Sequence, residues 1–131
     1  GKVLLRKHDK YGIWLSVGGH IELDEDPNQA ALREVKEEVG LDVTLVDSRI
    51  FTHDEKDRKE LISPIGLNRH RISPTHEHIA FIYVAYSDSD KVIPEKETDE
   101  WKWCEESEID TLPGIPAEVA FYAKKALRDA K

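Results

Sequence analysis

Residues 33–40, REVKEEVG, decide how this chain is read, because folding alone gives no reason for them. Glu34 has Glu37 and Glu38 three and four positions ahead of it, and on a helix that makes the three carboxylates neighbours. Each like-charge pair of this kind costs about 0.2–0.5 kcal/mol. Gly40 suits a left-handed helix stop. Glu37 and Glu38 then stand in the last turn, where the helix dipole is negative and carboxylates are disfavoured. Something positive has to offset the repulsion, and a bound cation is the first candidate.

Projected at about 100° per residue, Ala31, Leu32, Val35 and Val39 form the expected buried stripe. The three glutamates fall in an arc beside that stripe, while Arg33 and Lys36 fall on the far side. A merely solvated face would lie opposite the core with mixed signs, and an acidic patch of that kind is the competing reading of the helix taken alone. Carboxylates grouped beside a core suit hard, oxygen-seeking cations such as Mg²⁺ or Mn²⁺.

Working outward, Asp26-Pro27-Asn28-Gln29 predicts the helix start, with Asp as N-cap, Pro at the first helical position and Gln three after the cap. Upstream, residues 2–6 predict a strand, 9–12 (DKYG) a turn, and 13–21 an extended segment around Gly18-Gly19. Downstream, 41–51 alternates as a strand. The run 78–86 is apolar on both faces, which predicts a central strand covered on both sides. Residues 100–105 predict a short strand, and Pro116 opens a final amphipathic helix with Val119, Tyr122, Ala123 and Ala126 on one face. Between Thr52 and Thr75 lies a polar segment with two Ser-Pro pairs, read as a long loop that is either a lid or simply mobile. Its Arg58, Lys59, Arg69 and Arg71 are placed to meet phosphates or solvent. Helices and strands mix without a regular βα rhythm, so the fold class is α+β, a mixed sheet between helical layers.

A chain of 131 residues is expected to form one domain spanning 1–131, large enough for a core without staples. No apolar run reaches membrane-spanning length, and the net charge of −8 argues against a nucleic-acid polymer as partner. A phosphorylated small molecule remains compatible, since divalent cations reverse local charge. The single cysteine, Cys104, excludes an internal disulfide and fits a reducing, cytoplasmic setting. Because the sequence opens directly on a strand without Met, the native N-terminus is expected to lie upstream. A homodimer is among the states the sequence admits.

From Gly19 the chain runs Gly19, five residues, Glu25, seven residues, then Arg33-Glu34-Val35-Lys36-Glu37-Glu38-Val39-Gly40-Leu41. This resembles the signature of the Nudix hydrolases, G-x5-E-x7-R-E-U-x-E-E-x-G-U with U apolar, at every specified position. Seven identities and two apolar positions over 23 residues make it far more specific than a lone glycine motif. Strand and helix order beyond the box follow the family too, apart from its usual first strand, which is expected upstream of residue 1. Two positions depart from the common pattern: Val17 stands where Pro is frequent and Asp24 where Gly is frequent. Neither is a metal ligand.

The resemblance implies a MutT-like enzyme of the Nudix fold that cleaves a nucleoside diphosphate linked to another group, with Mg²⁺ or Mn²⁺ and an attacking water. It implies Glu34, Glu37, Glu38 and the Gly19 carbonyl as metal ligands, with Glu37, Glu38 and Arg33 as catalytic groups and Glu25–Arg33 as an orienting ion pair. Arg6, Trp14, Glu22 and Tyr83 are the expected substrate contacts. Glu97, in the loop six residues before Trp103, resembles the family's general base. Subfamily markers for ADP-ribose, dinucleoside polyphosphates, NADH and coenzyme A are absent, which leaves nucleoside triphosphates, oxidised or not, and nucleotide sugars. A non-catalytic nucleotide-sensing module of the same fold is the alternative, though that class shows an eroded box and this box is intact. His76 and His78 share a strand face as zinc ligands would, without further ligands at a suitable spacing, so they read as wall residues. Trp14 and Tyr83, each taken alone, fit core packing as well as base stacking. Cys104, beside Glu105 and Glu106, is not expected to be a nucleophile.

Overall fold

The computed structural model describes residues 1–8 and 12–129, and most of the turn expected at 9–12 lies outside them. In chain order the elements are β1 (Val3–Lys7), β2 (Trp14–Leu15), α1 (Pro27–Val39), β3 (Thr44–Leu45), β4 (Gly66–Ser73), β5 (His76–Ile82), β6 (Ala85–Tyr86), β7 (Trp101–Cys104), α2 (Glu106–Ile109) and α3 (Ala117–Asp129). The expected α+β class is present. β1 is the centre of a three-stranded sheet, antiparallel to β2 through Arg6↔Leu15 and to β7 through Val3↔Cys104 and Arg6↔Trp101. β3 pairs with β6, and β4 with β5, each pair antiparallel.

The core lies between the β1 sheet and the C-terminal helices. Leu5, Cys104, Ile109, Leu112, Ala120 and Ala123 form it, with Val3, Trp14, Ile115, Val119 and Leu127 packed around them. The short helix α2, which has no clear signal in the sequence, supplies Ile109, fully buried. On α3 the buried residues are Ala120 and Ala123, with Val119, Tyr122 and Ala126 half-buried as expected. Tyr122 presses its hydroxyl against Gly66, where a Cβ would overlap it, so α3 and β4 meet closely at that point.

Helix α1 starts and stops as its sequence requires. Asp26 Oδ1 accepts the Gln29 N–H at 2.8 Å and Gln29 Oε1 accepts the Asp26 N–H at 2.9 Å, a reciprocal capping box. Gly40 closes the helix at φ +69°, its N–H donating to the Lys36 carbonyl at 3.0 Å.

Three expectations are corrected. The run 78–86 is not a central strand covered on both sides: it divides into β5 and β6, β5 pairs in a two-stranded ribbon, and Ile79 and Phe81 are 66% and 39% exposed. An apolar run by itself does not say how many neighbours a strand has. The 52–75 segment is not loop throughout, because 66–73 is β4, held to β5 by cross-strand pairs such as Leu67↔Phe81 and Arg71↔Glu77. The extended segments at 13–21 and 41–51 shrink to the two-residue strands β2 and β3.

The buried arc of α1 also differs from the expected stripe. Ala30 and Val39 are the buried residues and Leu32 is 41% exposed. At about 100° per residue, Glu34 and Glu38 lie between Ala30 and the Ala31–Val35–Val39 side. They therefore face inward over small side chains, and the two are only 15% and 14% exposed.

Candidate active site

Four segments build the site: the inward face of α1, the loop at 16–25, β1, and the loop before β7. The first loop is pinned to the helix at both ends of its glycine pair. Gly18 N–H donates to Glu38 Oε2 at 3.1 Å, and the His20 carbonyl accepts from Arg33 Nη2 at 2.8 Å. Between them Gly19 runs so close to Glu34 that a Cβ would overlap the carboxylate. Any side chain at this position would displace the Glu34 carboxylate.

Arg33 is the hub. Its Nε and Nη2 hold Glu25 bidentately at 3.0 and 2.7 Å, and its Nη1 donates to Glu34 Oε1 at 2.9 Å and Glu37 Oε2 at 3.0 Å. Glu22 stands further off, 3.9 Å from Nη1. The far-side placement of Arg33 is thus corrected, because its long side chain folds round the helix into the carboxylates. The hydrogen bonds that Arg33 donates to Glu25 hold the guanidinium charged well above its ordinary range and hold the Glu25 carboxyl below its own.

Glu38 shows the opposite shift. Burial pushes its carboxyl up, and the nearby charges of Glu34 and Glu95 push in the same direction, against the Gly18 N–H and Arg6. Arg6 Nη1 is 3.9 Å from Glu38 Oε1, and Arg6 Nη2 is 3.5 Å from Asp99 Oδ2. Arg6, His8, Leu15, Ser16, Gly18 and Glu38 line a cleft of about 180 Å³.

The loop before β7 reaches the same place through its backbone. Ile93 N–H donates to the Val39 carbonyl at 2.9 Å and Glu95 N–H to the Glu38 carbonyl at 3.0 Å. These bonds satisfy carbonyls that the helix end leaves open. They also carry the Glu95 charge to Glu38 and set Asp99 behind Arg6. Neither residue stands out in PEKETDE, which reads as a solvated charge run. Glu97 is exposed, and Glu100 is exposed with Lys7 Nζ 3.4 Å from its carboxylate.

Gly19, Glu22, Glu25, Arg33, Glu34, Glu37, Glu38 and Arg6 are therefore brought together. Trp14 packs against the core, and Tyr83, its phenol pushed up mainly by burial, lies near Asn28 in the first turn of α1, at the far end of the helix from Glu38. His76 and His78 do share a face: their Nε2 atoms are 2.8 Å apart, and His20 lies edge-on to His78 with ring centroids 5.2 Å apart. Burial, with His76, His20 and His70 around it, holds the His78 imidazole below its ordinary value. Cys104 is fully buried, and burial more than any neighbour raises its thiol, so it is unreactive.

The donor set suits a hard divalent cation. Glu34 and Glu38 offer carboxylate oxygens on the inward arc, Glu37 stands exposed at its edge, and Gly19 packs its backbone against Glu34. Among the described residues no three acidic, His or Cys side chains converge on one point, and Arg33 Nη1 lies between Glu34 and Glu37.

The model of the NUDIX domain matches residues 1–126, and the chain belongs to the Nudix family. Within it, the protein is a Nudix hydrolase. The CTP pyrophosphohydrolase of Escherichia coli (strain K12) is 28% identical, over 99% of this chain and 89% of that protein. The 8-oxo-dGTP diphosphatase of Proteus vulgaris is 46% identical over 55 residues, 40% of this chain and 47% of its own. A NUDIX-family hydrolase from Clostridium perfringens has a crystal structure that matches with a TM-score of 0.83 at 34% identity, covering 99% of this chain and 90% of that one. Among the described residues no helix is long and apolar enough to cross a membrane.

Proposed function

We propose that this hydrolase is a Mg²⁺- or Mn²⁺-dependent pyrophosphohydrolase of nucleoside triphosphates, attacking phosphorus with water. The observation that carries the reading is the pair of half-buried carboxylates, Glu34 and Glu38, set against the glycine loop with Glu37 beside them. A fold has no use for that arrangement, since buried like charges destabilise it. Bound there, divalent cations would neutralise phosphate charge and activate water. Glu25 and Arg33 lock loop 18–25 to the helix, and Arg6 presents a guanidinium at the cleft wall for an anionic substrate. The two relatives named above act on CTP and on 8-oxo-dGTP, which share the triphosphate and differ in base and sugar. That common part favours a nucleoside triphosphate over a nucleotide sugar.

A panel of nucleoside triphosphates, 8-oxo-dGTP and nucleotide sugars, incubated with Mg²⁺ and resolved by product, tests the reading. A nucleoside monophosphate plus pyrophosphate is expected from a triphosphate. Binding of nucleotide without turnover of any member would favour the sensing module instead.

A further inference from the structure

Asp99 is the one buried charged residue among the described residues, with a side chain only 1% exposed. Its Oδ2 accepts the Lys96 N–H at 3.0 Å and lies 3.5 Å from Arg6 Nη2, while Oδ1 is buried without a hydrogen-bond partner. Arg6 is equally unsettled: Nη1 is 3.9 Å from Glu38 Oε1, and Nε is buried without a partner. A guanidinium paired fully with a carboxylate makes two parallel bonds of about 2.7–2.9 Å. Arg6 makes that fork with neither acid. One cation from β1 is shared between a carboxylate of α1 and a carboxylate of the loop before β7.

We infer that Asp99 is a positioning residue that holds Arg6 back from Glu38. Without the Asp99 charge, Arg6 closes on Glu38 and neutralises it. With that charge, Glu38 keeps its negative charge for a divalent cation, and Arg6 keeps donors turned to the cleft. The inference rests on the proposed metal-dependent function for its purpose, but the division of Arg6 between two acids is separable from it.

The test uses the whole chain, stripped of metal and titrated with Mn²⁺, following free Mn²⁺ by electron paramagnetic resonance. Asp99→Asn, which retains an acceptor for the Lys96 N–H, is expected to weaken Mn²⁺ binding about ten- to a hundredfold. Adding Arg6→Gln to Asp99→Asn is expected to restore the wild-type affinity, because the competing cation is gone. Unchanged affinity in Asp99→Asn, or a loss that Arg6→Gln does not rescue, overturns the inference; a purely structural Asp99 would lower Tm without that rescue. A wild-type chain that binds no Mn²⁺ counts against the proposed function, and the role of Asp99 is then read in EDTA. There, Glu38→Gln is expected to lower Tm in the Asp99→Asn background, where it breaks a newly formed Arg6–Glu38 pair, but to raise it slightly in the wild type. Additive shifts overturn the inference.

Discussion

Glu38 carries the central conflict of this fold: a carboxylate accepting the Gly18 N–H, 14% exposed, and surrounded by other acids. Glu38→Gln keeps an acceptor for Gly18 while removing one charge. In EDTA it is expected to be more stable than the wild type by a few tenths of a kcal/mol up to about 1, as chemical denaturation would read. Glu25 behaves in the opposite sense. Arg33 lowers its folded-state pKa below the ordinary 4.5, so the pair's contribution is complete above that value and is lost as pH falls through the lower folded one. Glu25→Gln should therefore reduce stability at neutral pH and flatten the acid limb of a stability–pH curve; an unchanged limb would remove the pair from the account. Glu34, Glu37 and Glu38 were legible in the sequence because helical spacing fixes which carboxylates are neighbours. Helical spacing alone put Arg33 on the far side, since it places a Cα and says little about where a long side chain ends; only the Glu25–Arg33 pair that the resemblance implies pointed inward. Asp99 was illegible for another reason: its burial depends on Arg6 from a strand more than ninety residues earlier.

Helix α1 and the strands around β1 follow local rules that a sequence displays openly, caps above all. The β4–β5 ribbon does not, because its order comes from pairing between two segments, one of which looks like loop. What remains irregular, 52–65, is tethered. Asn28 Nδ2 donates to the Ile62 carbonyl at 3.0 Å and its Oδ1 accepts the Ile62 N–H at 2.8 Å, while Arg49 Nη1 donates to the Glu60 carbonyl at 2.7 Å. Limited trypsin digestion is therefore expected to cut at Lys56, Arg58 or Lys59 before Arg69, which stands in β4. Asn28→Ala should speed those first cuts, and saturating nucleotide with Mg²⁺ should slow them if the segment closes over substrate. First cleavage at Arg69 would contradict the ribbon. The loop before β7 supplies the candidate base. Glu97→Gln is expected to lower kcat at least about tenfold with KM little changed. If Glu97→Gln is silent and Glu95→Gln gives that loss, the base is the residue whose charge already reaches Glu38.

At the scale of the molecule, one strand links the core to the chemistry. Leu5 is fully buried between the β1 sheet and the C-terminal helices, and the next residue, Arg6, stands at the cleft. Leu5→Ala is expected to cost about 2–5 kcal/mol, with activity at low temperature reduced much less than stability. The α+β class, the box and its helix could be read before the structure because they rest on short-range pattern. The three separate sheets among the described residues, and the junction of β1, α1 and the loop before β7, could not, because they are long-range contacts. In the proposed function the α1 carboxylates serve a divalent cation in hydrolysis. The most direct test of that role is the steady-state hydrolysis of a nucleoside triphosphate by the wild type and Glu38→Gln, each with Mg²⁺ and with EDTA. The wild type should turn over only with Mg²⁺, and Glu38→Gln should be at least about a hundredfold slower while remaining folded. Undiminished turnover in EDTA, or full activity of Glu38→Gln, would contradict it.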